Sequence, residues 1–344
     1  RMEIKCDFIL LSWNNLEILK QCVDSILRYT RFPARLIIVD NGSTEPGVAD
    51  YLSSLKGNDT IEVRVILNAV NEGFAKGMNK GMRTSKAPYI CLLNNDILVT
   101  DGWLEEMVRV AAENPSIGIV NPSSNNFGLR FGIDTTLEQF ASTLKSQAGR
   151  WIEMNSCIGF CMLIKREVID KVGFLDESYG YAYFEDTDFS RRAQESGYKC
   201  AMAKGCYVYH TEGKSGKFLK DKDETFRKSA EIFHGKWGRP LRVAYIVAHK
   251  EMALSGDIAR SAEAELKARN RVWIFQEEGV EIRGLPEHLD LMREILPRIF
   301  FNFMAFWNII KKKKRFDRLY ISPGMLRNML GFYGRFRGSE IKWV

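Results

Sequence analysis

Short apolar runs and amphipathic stretches alternate along the first hundred residues of the chain. The apolar runs cover residues 5–11, 35–39, 62–67 and 89–93, and each ends in polar, turn-forming residues. Between them, residues 16–28 and 74–83 space their apolar positions as one face of a helix does. Strands that alternate with helices in this way predict an α/β fold with a doubly wound, mostly parallel sheet. Such sheets bind ligands at the carboxyl ends of their strands, where we expect the polar residues to gather.

The fourth apolar run is the most informative, because it ends in Asn94, Asn95 and Asp96. A buried parallel strand would deliver the Asp96 carboxylate to the ligand-binding edge of the sheet. A carboxylate there can hold a divalent cation, which in turn can hold the phosphates of a nucleotide. A simple Asx turn after the strand accounts for the same residues, since Asn and Asp favour turns. The run by itself fits both interpretations.

The second and third runs end in residues that suit a nucleotide ligand. Asp40 could accept the imide N–H of uracil or thymine, a donor that adenine and guanine do not present in that form. Gly73 would let the backbone approach a phosphate or sugar closely. Asn71 and Asn79 could bind sugar or phosphate oxygens. Each has a local alternative, which is an Asx turn at Asp40 and helix capping at the two asparagines.

Further elements are predicted around a long polar excursion. Residues 121–150 are polar and rich in Asn and Ser, with one helical patch at 137–144. We expect this excursion to pass over the sheet edge as a recognition loop. The pattern also predicts strands at residues 117–120, 157–165 and 199–209, and helices at 102–114, 167–172 and 189–196.

Glu185, Asp186 and Asp188 form an acidic group that follows a run of aromatic residues. Negative charge is favourable at the start of a helix, which is sufficient to explain Asp188. Aromatic surroundings would desolvate a carboxylate and raise its pKa towards the range of a general base. His210 ends the last strand, where a lone histidine is more often a surface residue than a ligand. Residues 211–216 after it suggest a mobile loop that could fold over phosphates.

The composition is that of a globular protein, with 45% hydrophobic and 27% charged residues. The seven cysteines include no Cys-x-x-Cys pair, so we expect buried thiols in a reducing cytoplasm. Cys157 and Cys161 could pair as metal ligands, but small buried thiols are the simpler expectation. No signal peptide is recognisable, and no apolar run reaches the roughly 18 residues that span a bilayer.

The pattern changes after Trp237, which predicts a first domain over residues 1–237 and an extension over 238–344. In the extension we expect strands at 241–248, 272–275 and 318–322 and a helix at 256–268. The charge changes as well, because residues 298–344 carry a net +9 and the first 297 residues a net −2.

Residues 296–310 are apolar on nearly every helical face and lead into the basic residues 311–315. A segment of this kind is either a core helix or a helix that lies in an anionic membrane interface. The basic tail contains no recognisable nucleic-acid-reading motif, so nucleic acid is not an expected partner.

Taken in order, the motifs of residues 5–217 resemble those of the family 2 glycosyltransferases with the GT-A fold, especially the bacterial polysaccharide and rhamnosyltransferase-like branch. Seven pieces carry the resemblance, in the family's order: Ser12-Trp13-Asn14-Asn15, Val39-Asp40-Asn41-Gly42-Ser43, Asn71-Glu72-Gly73-Phe74-Ala75 with Asn79, Leu93-Asn94-Asn95-Asp96, Gly173-Phe174-Leu175-Asp176-Glu177, Glu185-Asp186-Thr187-Asp188-Phe189, and His210.

The resemblance implies a UDP- or dTDP-sugar donor along the strand ends and an inverting transfer to a glycan or lipid-linked saccharide. Asp96 and His210 would bind the metal, Asp186 would be the catalytic base, and Glu185 would contact the acceptor. The implied donor-binding residues are Ser12, Asn14, Asp40, Gly42, Ser43, Asn71, Gly73, Asn79, Asn94 and Asn95. Relatives of this kind act in cell-surface polysaccharide synthesis, in the cytoplasm or at the inner face of the membrane, where residues 296–315 could contact an anionic surface.

One residue departs from the family's pattern, because Asn94 occupies the first position of the Asp-x-Asp motif. An amide can still accept a ribose hydroxyl, so donor binding tolerates the change better than a metal site with two carboxylates would. The metal is expected to be Mn²⁺ or Mg²⁺, since these hard ions prefer oxygen ligands.

Other interpretations remain. A sugar-phosphate nucleotidyltransferase also binds a nucleotide on a parallel sheet, but it should have a glycine-rich, basic loop where this chain has Ser12-Trp13-Asn14-Asn15. A carbohydrate-binding module with a decayed site is compatible with Asn94, whereas Asp96, Asp186 and His210 argue for catalysis. The extension resembles the opening of a GT-B-type nucleotide-sugar domain, and a plain C-terminal extension explains it equally well.

Overall fold

The computed structural model describes residues 3–211, 221–248, 256–321, 334 and 338–343. The chain forms two compact units, Arg1–Trp237 and Gly238–Val344. They are called unit 1 and unit 2 below.

Unit 1 alternates strands and helices for its first hundred residues, as the hydrophobic pattern predicts. Its strands are β1 (Cys6–Ser12), β2 (Ala34–Asp40), β3 (Ile61–Leu67), β4 (Tyr89–Asn94), β5 (Ile97–Val99), β6 (Ile117–Ser123), β7 (Trp151–Met154), β8 (Cys161–Lys165) and β9 (Lys199–His210). Its helices are α1 (Leu16–Tyr29), α2 (Val48–Ser54), α3 (Phe74–Met82), α4 (Trp103–Glu113), α5 (Leu137–Leu144), α6 (Arg166–Val172), α7 (Glu185–Glu195) and α8 (Lys222–Trp237).

The first four strands are parallel and lie in the order β3-β2-β1-β4. The pairing places Ser12 beside Asp40 and Leu11 beside Asn94, so the polar strand ends share one edge. Strands β1 and β2 are buried along almost their whole length because helices cover the sheet. The predicted α/β class is confirmed.

The rest of the sheet is mixed. Strand β8 runs antiparallel to β4 and β6, whereas β6 and β9 are parallel. Strands β5 and β7 pair antiparallel with β9. The sequence pattern did not predict β5, which has three residues, or β7, which lies at the end of the polar excursion. Both are too short to show a periodicity of their own.

Two predicted boundaries differ from the structure by four residues. The strand expected at 157–165 begins only at Cys161. Helix α7 begins at Glu185, four residues before the predicted start. The helix therefore includes the whole acidic group in its first turn, where the helix dipole favours carboxylates.

Unit 2 is built on a parallel sheet with the order β12-β11-β10-β13-β14. Its elements are β10 (Arg242–Val247), α9 (Asp257–Lys267), β11 (Arg271–Glu277), β12 (Leu291–Leu296), α10 (Phe301–Lys311), β13 (Arg318–Ile321) and β14 (Glu340–Trp343). Alternate residues of β10 supply two separate cores, one around Ala244 and Ile246 and the other around Val243 and Tyr245. Helix α10 packs on the first core and α9 on the second.

All seven cysteines are buried and free, as expected of a reducing compartment. Within the described residues, none of the helices has the length and apolar character needed to cross a bilayer.

Candidate active site

Asp40 ends strand β2, and its side chain binds the loop that follows. Its carboxylate oxygens accept hydrogen bonds from the backbone N–H of Ser43, at 3.1 Å, and from the Ser43 hydroxyl. These bonds are local, although they reach one residue further than those of the expected Asx turn. The carboxylate is nearly buried, and a contact with a nucleotide base stays a prediction.

The loops after β1 and β2 are tied together by Asn14. Its side-chain oxygen accepts the backbone N–H groups of Thr44 and Glu45, at 2.8 and 3.0 Å. In return, the Asn14 N–H donates to the Ser43 hydroxyl at 2.7 Å. Asn14 has a φ of 54° and Asn15 of 55°, in the left-handed region that asparagine tolerates. Ser12 lies beneath this junction with a fully buried hydroxyl that has no partner among the described residues.

Asn41 joins the loop after β2 to the loop after β3, and the sequence reasoning did not single it out. Its amide donates to the side-chain oxygen of Asn71 (2.9 Å) and to the carbonyl of Gly73 (3.2 Å). Its side-chain oxygen accepts from Asn68 (3.0 Å) and from the Glu72 N–H (3.1 Å). The residue is almost fully buried, so these bonds replace water and fix the loop that carries Asn71 and Gly73.

Gly42 and Gly73 are required by close backbone contacts. A Cβ atom on Gly42 would lie 2.6 Å from the Val70 carbonyl carbon, and one on Gly73 would lie 2.8 Å from the Gly180 oxygen. Both residues also have a positive φ, 75° and 87°. These glycines let the loops meet each other, and an approach to phosphate or sugar stays a prediction.

Asn79 joins helix α3 to the segment after α6. Its amide donates to the Leu175 carbonyl and to the Glu177 carboxylate, both at 2.9 Å, and its oxygen accepts the Leu175 N–H at 3.0 Å. The side chain is 1% exposed. It anchors the segment that leads to the acidic group, and a contact with the donor stays a prediction.

Asp96 and His210 are 114 residues apart in sequence and adjacent in the structure. The Asp96 carboxylate lies 3.0 Å from His210 Nε2. Strand β5 pairs with β9 immediately beyond this contact, with Ile97 opposite His210, which holds the two side chains at the same strand end. Asp96 is 3% exposed, whereas Asn94, two residues earlier, is only partly buried.

Two neighbours orient the His210 ring. The side chain of Asn126 lies 3.0 Å from Nδ1, and the Phe160 ring stacks on the imidazole with centroids 5.3 Å apart. Asn125 fixes the backbone of His210 through two hydrogen bonds, at 2.8 and 2.9 Å. The sequence placed both asparagines in the recognition excursion, without any signal that they face the histidine.

This pair suits a divalent metal in its chemistry. Mn²⁺ is commonly bound by carboxylate oxygens and imidazole nitrogens, and Mg²⁺ also accepts a carboxylate. The other ring nitrogen of a histidine ligand is usually held by a hydrogen bond, as Nδ1 of His210 is here. No group of three or more potential protein ligands occurs within the described residues. Residues 212–220, which include most of the predicted phosphate-covering loop, lie outside the described part of the chain.

Asp186 is held by three hydrogen bonds at the start of α7. One carboxylate oxygen accepts the Gly159 N–H at 2.8 Å, and the other accepts the N–H and hydroxyl of Thr187 at 2.6 and 3.1 Å. Burial raises the pKa of Asp186, and these donors counteract part of the rise by favouring the ionised form. The result is an oriented carboxylate with raised basicity.

Glu185 contrasts with its neighbour. Burial, followed by the charge of Asp186, raises the pKa of Glu185 to about 8. Its Oε2 atom is buried and has no hydrogen-bond partner among the described residues. A pKa raised in this way favours the protonated carboxyl, whose O–H can donate.

Asp188 has a structural role, as expected. Its hydrogen bonds to neighbouring side chains contribute more to this role than its position in the helix dipole does. It is fully buried and accepts from Arg192 (2.8 Å), Trp237 (2.9 Å) and Tyr179 (3.1 Å). Just before the acidic group, Tyr183 and Phe184 have φ values of 78° and 71°. Left-handed backbone at two successive aromatic residues is strained, and strain of this kind concentrates at functional sites.

A cleft of about 420 Å³ adjoins the Asp96–His210 pair. It is lined by Asn125, Arg130, Phe131, Tyr207, Tyr209, His210 and Thr211. A larger cavity of about 890 Å³ lies along Lys76, Lys80 and Arg83 and includes Asn71 among its lining residues.

Residues 7–173 match the family model described as glycosyl transferase family 2.

Three curated relatives illustrate the similarity. An uncharacterized protein of Sinorhizobium fredii, y4gI, is 26% identical over 242 residues, which are 65% of this chain and 26% of the relative. The poly-beta-1,6-N-acetyl-D-glucosamine synthase of Staphylococcus epidermidis is 26% identical over 49% of this chain and 41% of its own length. Glycosyltransferase GlyG of Streptococcus pneumoniae is 27% identical over 47% of this chain and 57% of its own length. The match thus spans less than two thirds of each relative.

Two solved structures share the fold. The S. aureus protein TarS, solved in complex with UDP-GlcNAc, has a TM-score of 0.50 at 13% identity, over 68% of this chain and 66% of that one. GalNAc-T7, solved with UDP, GalNAc and Mn²⁺, has a TM-score of 0.50 at 16% identity, over 67% of this chain and 48% of that one. At these identities the likeness concerns the fold.

Proposed function

Unit 1 belongs to glycosyl transferase family 2, and on this basis we propose that the chain is an inverting, metal-dependent glycosyltransferase that transfers a hexosyl or rhamnosyl group. In this proposal, the donor is a UDP- or dTDP-sugar, and the acceptor is a hydroxyl of a glycan or a lipid-linked saccharide. The product contributes to a cell-surface polysaccharide. A relative named as a polysaccharide synthase and a fold neighbour solved with UDP-GlcNAc support these assignments.

The observation that carries the proposal is the Asp96–His210 contact of 3.0 Å at the carboxyl end of β4. The two residues are 114 positions apart in the chain, and Asn126 and Phe160 orient the imidazole. An arrangement with so many supporting contacts fits a ligand-binding site better than a chance surface pair.

Asp96 and His210 would hold Mn²⁺ or Mg²⁺ together with the donor diphosphate, and a fold neighbour solved with UDP and Mn²⁺ supports this choice. A bound cation there supplies positive charge next to the departing nucleoside diphosphate. Asn94 and Asn95 lie beside this position, and we assign them to the donor ribose and diphosphate.

Asp186 acts as the base in the proposed transfer. The acceptor O–H gives its proton to the Asp186 carboxylate as the acceptor oxygen forms a bond to the anomeric carbon. The bond from that carbon to the diphosphate oxygen breaks, and its electron pair leaves with the nucleoside diphosphate. One displacement of this kind inverts the anomeric centre. The bonds from Gly159 and Thr187 keep the carboxylate pointing in one direction during the step.

We assign the loops of Ser12, Asn14, Asp40, Gly42 and Ser43 to the base and ribose of the donor, and Asn71, Gly73 and Asn79 to its sugar and diphosphate. Because Asn14 and Asn41 bind these loops to each other, the surface they form is preorganised for a ligand. Glu185 is assigned to the acceptor, to which its protonated carboxyl could donate. The cleft of about 420 Å³ beside His210 has the aromatic and polar lining of a sugar site. The seven buried, free cysteines support a cytoplasmic location.

The alternative activities are less well supported. Family membership and the absence of a basic, glycine-rich loop at residues 12–15 argue against a nucleotidyltransferase. The oriented Asp186 and the Asp96–His210 pair argue against a non-catalytic carbohydrate-binding module.

A panel of nucleotide sugars, incubated with the protein and Mn²⁺ without acceptor, tests the proposal. We expect slow hydrolysis of one UDP- or dTDP-sugar that stops when EDTA removes the metal. Asp96→Ala should abolish this hydrolysis, and the exposed Asp170→Ala is the matched control. Release of pyrophosphate from a nucleoside triphosphate and a sugar phosphate would favour the nucleotidyltransferase instead.

A further inference from the structure

Helix α10 of unit 2 has two faces of opposite exposure. Phe301, Ala305 and Ile309 are buried in the core beside β10 and β11. Phe303 and Trp307 are 62% and 44% exposed and lie on roughly the opposite side of the helix. The core-helix interpretation of this segment therefore leaves the exposure of Phe303 and Trp307 unexplained.

The exposed apolar surface of helix α10 continues into the turn before the helix. Ile299 is 87% exposed and Phe300 63% exposed. Rings of Phe303 and Trp307 stack with centroids 6.3 Å apart, so they present one surface. We call the four residues Ile299, Phe300, Phe303 and Trp307 the aromatic stripe. Contiguous exposed apolar surface of this kind marks an interaction site.

The stripe is followed directly by three lysines that have no acidic partner among the described residues. Lys311 lies over the Trp307 ring, with its Nζ atom 4.9 Å from the ring centroid. Lys311, Lys313 and Lys314 are exposed and form no ion pair among the described residues. By contrast, Lys312 in the same run pairs with Glu294 at 2.8 Å. The positive charge next to the stripe is therefore largely unneutralised.

We propose that the aromatic stripe and these three lysines form a docking face for an anionic membrane surface. Aromatic side chains suit the boundary between headgroups and acyl chains, and the lysines would meet the negative headgroups. Helix α10 has 11 residues, which is far too short to span the bilayer, and its opposite face is anchored in unit 2. It would lie in the interface plane.

A second copy of the chain fits this face less well. A two-fold dimer places the same patch on both partners, so burying it would bring all three lysines of each copy into or beside the interface. Like charges across an interface are unfavourable, whereas anionic lipids neutralise them. The proposal does not depend on the transferase activity, and vesicle binding can be measured without donor or acceptor.

Flotation of the full chain with vesicles tests the proposal. At low salt we expect binding to phosphatidylcholine vesicles that contain about a third phosphatidylglycerol, no binding to pure phosphatidylcholine, and release at high salt. Phe303→Ser combined with Trp307→Ser should weaken binding at least tenfold. Lys313→Gln combined with Lys314→Gln should weaken it more than tenfold, since each basic residue contributes about fivefold.

Matched variants elsewhere are the controls. Ile133→Ser removes another exposed apolar side chain, and Lys56→Gln combined with Lys86→Gln removes the same charge from exposed positions in unit 1. Both should bind as the unaltered chain does, and all variants should keep its Tm. Equal weakening by the control lysines, unchanged binding after loss of Phe303 and Trp307, or no binding at low salt would each overturn the proposal. Dimerisation that the stripe variants abolish, without vesicle binding, would assign the face to a second copy.

Discussion

Four parallel strands of each unit lie in the same order, but the residues at the ends of these strands differ. In unit 1 the order is β3-β2-β1-β4, and in unit 2 it is the equivalent β12-β11-β10-β13. Strands β1, β2 and β4 end in Ser12, Asp40 and Asn94. Strands β10, β12 and β13 end in Val247, Leu296 and Ile321.

The topology determines at which edge of the sheet the strand ends gather. The residues at those ends determine whether the edge can bind a ligand or catalyse a reaction. The first edge brings carboxylates, amides and a histidine together. In the described strands of the second unit, the acidic residue at such an end, Glu277, lies 3.2 Å from Arg298. We therefore expect the nucleotide to bind unit 1, and the following predictions test that contrast.

The largest expected effect is that of Asp186→Asn. Turnover should fall about 10²-fold or more, because the amide cannot take the acceptor proton, while donor binding changes little. Initial rates and a UDP titration measure the two quantities. The exposed Asp170→Asn serves as the control. Near-normal turnover of Asp186→Asn would transfer the role to Glu185.

Next in size is the loss of the proposed metal ligands. Asp96→Ala and His210→Ala should each weaken Mn²⁺-dependent UDP binding by about 10–100-fold, and Asn126→Ala by less, because it acts through the imidazole. Calorimetric titration with and without Mn²⁺ measures the change. If neither ligand variant alters UDP binding, the nucleotide site is elsewhere, and the contrast between the two sheets is lost.

A moderate effect is expected from Asn41→Ala. The substitution removes four side-chain hydrogen bonds and leaves the Asn68 amide and the Glu72 N–H without this partner, so the free energy of unfolding should fall by about 2–4 kcal/mol. UDP affinity should fall as well, since the loop after β3 loses its anchor. Denaturant unfolding and UDP titration give both values. Asn114→Ala, which loses a single bond to the Val110 carbonyl, is the matched control and should cost less.

The smallest expected effect concerns Glu185 and pH. Its folded pKa of about 8 exceeds the ordinary value of 4.5, so the stability it contributes is full below about pH 4.5 and is lost as the pH rises through about 8. Glu185→Gln should match the unaltered Tm at pH 5 and exceed it by several degrees at pH 9, since each kcal/mol shifts Tm by about 2–4 °C. The exposed Glu195→Gln should show no such gain at pH 9. If Glu195→Gln raised the Tm at pH 9 as much as Glu185→Gln does, the gain could not be attributed to the pKa of Glu185.

The sequence by itself determined the α/β class, the four parallel strands and the polar residues at their ends. These features are local, because each depends on the period of apolar residues and on the turn residues that follow. The family was also accessible from the sequence, through short motifs in a fixed order. The excursion at residues 121–150 and the helix at 137–144 could be identified for the same reason.

Only the tertiary structure decided which polar residues meet. Asp96 and His210 become neighbours because β5 pairs with β9, and β5 is too short to leave a recognisable pattern. Asn41, Asn126 and Gly159 have roles that arise from contacts across 27 to 84 residues of chain, which no local period records. The two faces of α10 follow the same rule. Its sequence is apolar almost all round, and only packing against β10 and β11 left Phe303 and Trp307 exposed beside unpaired lysines.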